Sequence, residues 1–424
     1  MTMTMKKILM KTVAVAAMMM LCVSVFAQEM HSLSFRRAVK SPEVTEQGIT
    51  FRFNAPKARK VQVSASWLGF NPAAAEMTQG QDGVWSVTLP LPAPELYTYN
   101  FVVDGVTMLD PVNVFVQRDG ARYMNAVLVE GGYADYYKES DKPGNLEQVW
   151  YHSAENDMTR RLYVYTPYGY EPKKTKVKYP VLYLLHGGGG DEDAWSTLGR
   201  TCQILDNLIA AGKAEPMLVV MPNGNPSQYA SQTLGIPENK NTKEYNSGFD
   251  NYTSLVADII PFIESRYNVI ANKSGRAVAG LSMGGGQSFY IAFRNVDKFS
   301  AVGVFASGLI GSSAIGGQPF DAEQQIPGML SQPEKFNKFD VIYLSCGEQD
   351  NRIDGMKEFK ETLDAKGYNG VVWEQWPGGH EWKVWRRDLA AFVQLIFCYA
   401  SDITRHPAVR RRQDVLLCQM HIRI

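Results

Sequence analysis

Histidine and cysteine are scarce in this chain, with six His and five Cys among 424 residues. The histidines are scattered and no His-Glu-x-x-His occurs, which leaves no zinc cage of familiar spacing. The cysteines show no paired metal-type spacing either. Acidic and basic residues balance at 43 each, so no global field draws the chain to nucleic acid or an anionic membrane. Beyond the N-terminal segment, no apolar run is long enough to span a bilayer. What the chain does have is the composition of an ordinary globular protein: 45% apolar and 20% charged residues, enough for a sizeable core. The length suggests two or three domains.

The N-terminus reads as a secretory leader. Lys6, Lys7 and Lys11 precede the apolar stretch from Thr12 to Val23, and Val25-Phe26-Ala27 resembles a cleavage site. Cleavage is expected after Ala27, which implies a secreted or periplasmic protein. A membrane anchor is the alternative, but the apolar run is short for one. Cys22 raises a lipoprotein reading, which Leu21 before it disfavours. Cleavage leaves Cys202, Cys346, Cys398 and Cys418; Cys202 and Cys346 are expected to be buried free thiols.

Residues 28–135 read as strands throughout. "GITFRFNAP", "KVQVSASW", "GVWSVTLPL", "YTYNFVVDG" and "NAVLVEGG" alternate or cluster apolar residues between Gly, Pro, Asp and Asn turns. That spacing predicts a small all-β sandwich. A linker, residues 136–143, follows. Over residues 144–397 apolar strands alternate with helical patterns, so the expected fold class is α/β, with a doubly wound, mostly parallel sheet covered on both faces. A helix is expected over "TSLVADIIPFIESRY", interrupted by Pro261. Residues 398–424 read as a basic tail outside the fold, carrying Arg405, Arg410, Arg411, Arg412 and Arg423.

Within the α/β region, Gly280-Leu281-Ser282-Met283-Gly284 fits G-x-S-x-G between a strand and a helix. The flanking glycines let strand and helix approach around a strained turn that exposes the serine hydroxyl. A serine needs a base, and the few histidines allow elimination. His31 lies near the mature N-terminus, and His406 and His421 lie in the tail. His152 precedes the strand "RRLYVYTP", and His186 precedes the nucleophile. His380, in "WPGGHEWKVW", fits the chain order Ser, acid, His of α/β-hydrolases. Asp350 is the expected acid because it ends the strand "VIYLSCG"; Glu348 and Asp354 are the alternatives. The oxyanion donors are expected from the Met283 amide and from Gly187 or Gly188 of "HGGGG". That loop lacks the Lys-Ser/Thr ending of a phosphate-binding loop. His186 itself is expected to pack beneath the loop.

"GRAVAGLSMGGGQSFYIAFRN", "LSCGEQDN", "PGGHEWKVWRRDLAAF" and "YPVLYLLHGGGGDEDAW" together resemble the esterase D-like α/β-hydrolase family. The resemblance is to its carbohydrate esterase family 1 branch of feruloyl and acetylxylan esterases. The block from Asp82 to Pro111 resembles the early-set immunoglobulin-like module of carbohydrate-binding family 48. The resemblance implies a triad on Ser282, Asp350 and His380, an acyl-enzyme, and no cofactor or metal. It implies feruloylated or acetylated xylan as substrate. Siderophore esterases, which also pair a β-module with this domain, are an alternative, as are an acyltransferase and a non-catalytic carbohydrate-binding protein on a hydrolase scaffold. A groove for an aromatic acyl group is expected from Trp195, Tyr229, Phe249 and Trp382, the middle pair lying in a long loop over residues 223–252. In the front module Trp67 is the sugar-stacking candidate, while Trp85 reads as core. Removing the module is expected to spare turnover of small aryl esters.

Overall fold

The computed structural model describes residues 39–69, 75–172, 176–225, 230–233, 252–311 and 320–398. The leader, its expected cleavage site and the tail beyond Cys398 lie outside the described residues. Among the described residues, no helix is long and apolar enough to cross a membrane.

Alternation of apolar side chains in the N-terminal part builds two facing antiparallel sheets. One runs Glu43–Thr45, Gly48–Asn54, Val84–Leu89, Thr78–Gln79. The other runs Ala75–Glu76, Val61–Ala65, Glu95–Val103, Arg122–Val129, Val116–Asp119, with Val106–Met108 added on Glu95–Val103. Ile49, Phe51, Val61, Val63, Tyr99 and Phe101 fill the space between them. Trp85 belongs to that core, its indole N–H donating to Ala55 O at 2.9 Å. Trp67 is half-buried against Phe51 and Tyr97, with ring centroids 6.2 and 5.0 Å away.

The second part is one eight-stranded sheet. Its order is Asn145–Ser153, Met158–Thr166, Leu218–Pro222, Val181–Leu185, Arg276–Leu281, Ala301–Phe305, Val341–Gly347, Val371–Trp376. The first two strands are antiparallel to their neighbours and the rest are parallel. The inner strands Val181–Leu185, Leu218–Pro222, Ala301–Phe305 and Val341–Gly347 are buried at every position, as strands covered on both faces must be. Strand order reverses on either side of Val181–Leu185. Such a switch point opens a crevice at the strand C-termini, where ligands of open α/β sheets bind.

Two differences from the sequence reading have clear causes. The stretch around Pro261 is a π-helical turn, Leu255–Ile259, running into an α-helix, Ile260–Arg266, that carries Pro261 in its first turn. Proline has no N–H to give to the preceding turn, and the wider π turn there makes room for its ring. The two parts are also not separable bodies. Leu96 and Ala126 of the sandwich are buried in the core of the α/β part. Arg386 donates to Glu95 Oε1 at 3.0 Å, to Leu96 O at 2.9 Å and to Leu198 O at 2.8 Å. Both ends of the Arg386–Glu95 pair are 3% exposed. Deleting the sandwich would uncover apolar surface and orphan a buried guanidinium, so undisturbed turnover of the remainder is no longer expected.

Candidate active site

Strand Arg276–Leu281 ends at Ser282, and helix Met283–Arg294 starts immediately after it. Ser282 has φ 51° and ψ −113°, a conformation that costs a non-glycine residue on the order of 1–3 kcal/mol. Neighbouring backbone holds it there: Ser282 N–H donates to Phe305 O at 2.9 Å, while Gly308 and Gly286 N–H donate to Ser282 O at 2.7 and 3.1 Å. The glycines leave room for the crossing. A Cβ at Gly284 would lie 2.5 Å from the carbonyl oxygens of Leu185 and His186, and one at Gly280 would lie 2.5 Å from Gly284 C. Such contacts require glycine.

His380 Nε2 is 2.9 Å from Ser282 Oγ, and His380 Nδ1 is 2.6 Å from Asp350 Oδ2. The carboxylate therefore accepts a hydrogen bond from Nδ1–H, which keeps the proton on that nitrogen and leaves the Nε2 lone pair facing the serine. Asp350 follows strand Val341–Gly347 and is buried, and its Oδ1 accepts from Arg352 N at 3.1 Å and Arg352 Nη1 at 3.0 Å. Burial pushes the Asp350 carboxyl up. The hydrogen bond and charge of His380, with the bonds from Arg352, outweigh that and hold it below the ordinary carboxylate value. Glu348 and Asp354 are exposed, and neither bonds His380. The acid and base loops are laced together: Gly378 N–H donates to Gln349 Oε1 at 2.6 Å, and Gln349 N–H donates to Gly378 O at 2.9 Å. A Cβ at Gly347 would lie 2.4 Å from Gly378 O.

The glycine loop after Val181–Leu185 closes over the serine. A Cβ on Gly187 would meet Leu281 Cδ1 at 2.5 Å and Ser282 Cβ at 3.4 Å, whereas one on Gly188 would stand in open space. Gly187 thus lies against Ser282 on one side, and Met283 opens the helix directly after it on the other. His186 is buried and accepts the Gly224 N–H at Nε2 (2.9 Å), so its Nδ1 carries the proton shared with Gly187 O at 2.7 Å. Burial lowers its pKa, which keeps it a neutral brace for the loop.

The aromatic candidates divide. Trp195 is 1% exposed and its indole donates to Leu185 O at 2.9 Å, so it is a core side chain rather than a groove wall. Trp382 is half-buried, edge-on to Trp195 at 5.2 Å and to Trp385 at 5.3 Å. Trp385 in turn packs its ring 4.9 Å from that of His380. Tyr229 and Phe249 lie outside the described residues. Cys202, Cys346 and Cys398 are free thiols. Among the described residues, no group of three or more His, Cys, Asp or Glu is placed to hold a metal ion.

Sequence reasoning missed a set of charged residues behind the glycine loop. Asp191 and Glu192 are both buried. Glu192 pairs with Arg161 of the strand Met158–Thr166 at 2.6 Å. Asp191 pairs with Arg118, which comes from the sandwich strand Val116–Asp119. The Asp119-Gly120 dipeptide at the end of that strand is a signal for the hairpin that carries Arg118, though not for its partner.

Comparison with known proteins places this architecture. The family described as "Putative esterase" matches residues 153–396, and carbohydrate-binding module 48 (isoamylase N-terminal domain) matches residues 38–113. An endo-1,4-beta-xylanase/feruloyl esterase of Xylanibacter ruminicola is 31% identical over 366 residues, covering 84% of this chain and 46% of that protein. The chain therefore spans less than half the length of this curated relative. A solved ferulic acid esterase from Anaeromyces mucronatus is 25% identical with a TM-score of 0.50, covering 62% of this chain and 95% of that one. The enterobactin esterase of Shigella flexneri shares the fold at a TM-score of 0.58 and 16% identity, over 82% of this chain and 92% of its own. The match over residues 153–396, which contains the serine, carboxylate and histidine described above, shows that the chain belongs to this esterase family.

Proposed function

We propose that this chain is a secreted serine carboxylic ester hydrolase that releases hydroxycinnamic acids from feruloylated arabinoxylan. The observation that carries the reading is the hydrogen-bonded relay Ser282–His380–Asp350, with links of 2.9 and 2.6 Å, mounted on a strained strand-to-helix turn. The choice of substrate is supported by the likeness to a xylanase/feruloyl esterase and to a ferulic acid esterase. Secretion is supported by the leader-like N-terminus, and polysaccharide as partner by the match to a carbohydrate-binding module.

Ser282 Oγ attacks the ester carbonyl carbon while His380 Nε2 takes its proton. The negative oxygen of the tetrahedral intermediate is met by the amides of Met283 and of Gly187 or Gly188. The bond to the sugar oxygen breaks, and that oxygen leaves with the proton from His380. Water, deprotonated by His380, then attacks the acyl-serine. The free acid departs and the serine recovers its proton. Asp350 keeps the imidazole in one tautomer and stabilises its charged form throughout. Trp382, half-buried near the base, supplies an aromatic surface for a cinnamoyl ring. Trp67 of the module is a second, remote aromatic for the sugar chain.

The test is to incubate the full chain with arabinoxylan and quantify ferulate and acetate, with Ser282→Ala as control. Ferulate released by the wild type alone is the expected result. Acetate alone would move the assignment to an acetylxylan esterase. Release of neither would sink the polysaccharide reading and turn attention to siderophore esters or to a binding role.

A further inference from the structure

We propose that Arg118, a residue of the β-sandwich, is a positioning residue for the oxyanion loop of the α/β domain. The proposal rests on the assignment of Ser282 and the glycine loop given above.

The loop's course is fixed at Asp191. That carboxylate is fully buried, and its Oδ1 accepts the Asp193 N–H at 3.0 Å while its backbone oxygen accepts the Ala194 N–H at 3.1 Å. Just upstream, Gly190 N–H donates to Gly187 O at 3.2 Å, and Gly190 O accepts from Asn225 Nδ2 at 2.6 Å. A short, bonded path thus links Asp191 to the amides beside Ser282. Among the described residues, the cation paired with Asp191 is Arg118. Its Nη1 contacts Asp191 Oδ2 and its Nη2 contacts Oδ1 at 3.0 Å, while its Nε reaches Asp193 Oδ2 at 2.8 Å. One guanidinium therefore grips Asp191 through two parallel bonds while its Nε holds Asp193, a bidentate fork that arginine offers and a lysine ammonium does not.

The surrounding hairpin is built for the same contact. Gly120 sits at φ 58°, and a Cβ there would lie 2.2 Å from Gly189 O, so the hairpin backbone lies directly on the glycine loop. A Cβ on Gly190 would lie 3.1 Å from Asp119 Oδ1. Gln117 Nε2 donates to Thr197 O at 2.9 Å, extending the seam along the next helical turn. The loop's other buried acid, Glu192, is neutralised from within the α/β sheet by Arg161. Asp191 depends on the other domain. Removing Arg118 leaves a buried, unpaired carboxylate under the oxyanion amides. Those amides act only when aimed at the developing charge, so a displaced loop lowers turnover more than ground-state binding.

The test uses the full chain and p-nitrophenyl acetate, a sugar-free ester that takes polysaccharide binding out of the readout. Competent sites are counted by titration with an organophosphonate, so that misfolded protein does not enter kcat. Arg118→Ala is expected to lower kcat per titrated site about 10- to 100-fold, below the loss from removing a whole oxyanion donor, with KM within about twofold. Arg118→Lys is expected to recover part of that loss, and it carries the test if Arg118→Ala yields no titratable sites, by showing a reduced kcat per site. Wild-type kcat per site in these variants, with the loss confined to the melting temperature or the number of sites, would overturn the proposal, as would a rise in KM alone. Turnover surviving in Ser282→Ala would instead strike down the catalytic assignment beneath it.

Discussion

Ser282 holds its hydroxyl on backbone that other residues avoid, and three backbone hydrogen bonds keep it there. Alanine at this position keeps the turn and removes the nucleophile, so Ser282→Ala should reduce kcat by at least about 10⁴-fold with little change in melting temperature. Asp350→Asn should cost about 10⁴-fold in kcat by presenting the wrong imidazole tautomer. The same aspartate also ties stability to pH. Its carboxyl lies below the ordinary value in the folded state, so the stability it contributes is present above the ordinary carboxylate range and is lost as pH falls through the folded value. The gap in melting temperature between wild type and Asp350→Asn should therefore shrink on acidification below that range, and a gap that stays constant would contradict the linkage. His380 was legible in the sequence because chain order and a short roster of histidines left one choice. Arg118 was not, because its partner Asp191 stands 73 residues away in another domain and no local pattern joins them. Trp195 was misread because a tryptophan close to a glycine loop suggests exposure, whereas its indole is satisfied inside by Leu185 O.

Elements whose pattern matched their burial were readable, and those whose pattern mixed signals were not. Strand Asn145–Ser153 alternates only at Val149, Tyr151 and Ser153, as an edge strand with one wet face does, and its polar start merges with the linker before it. Strand Ala301–Phe305 is wholly buried and carries Gly303, so it offers no period to detect. The glycines of helix Met283–Arg294 oppose its helical propensity, yet Gly284 is demanded by the carbonyls of Leu185 and His186. Gly284→Ala, normally favourable inside a helix, should here destabilise by about 1–3 kcal/mol through overpacking and lower turnover with it, measurable by chemical denaturation and a single ester assay. Helix Trp382–Phe392 offers a pH test of its own. Burial pushes the Asp388 carboxyl up to about 7, against the Trp376 indole and the Tyr343 hydroxyl, which donate to its Oδ1 at 2.7 and 3.3 Å. A raised folded value means that stability falls as pH climbs from the ordinary carboxylate range to about 7 and levels off above it. Asp388→Asn should thus gain melting temperature relative to wild type between pH ~4 and pH ~8. An unchanged difference would show that Asp388 ionises normally.

At the scale of the whole molecule, the sandwich and the α/β domain share apolar core and a buried ion pair. Glu95→Ala leaves Arg386 buried without its carboxylate and should cost about 3–5 kcal/mol, read from denaturant midpoints of the full chain. The same shared core predicts one cooperative thermal transition; two well-separated transitions would contradict it. Both fold classes were legible, the sandwich from period-two alternation between turn residues and the α/β part from short apolar runs alternating with helical patterns. How closely the domains are joined was not, because Leu96, Ala126 and Glu95 look like ordinary strand residues until Arg386 is placed against them. Under the proposed function, one relay, Ser282–His380–Asp350, performs the ester chemistry. Its most direct measurement is reaction of the full chain with an organophosphonate, followed by intact-mass and peptide analysis. One equivalent bound at Ser282, abolished in His380→Ala, is the expected result. Labelling at another residue, or undiminished labelling of Ser282 without His380, would contradict it.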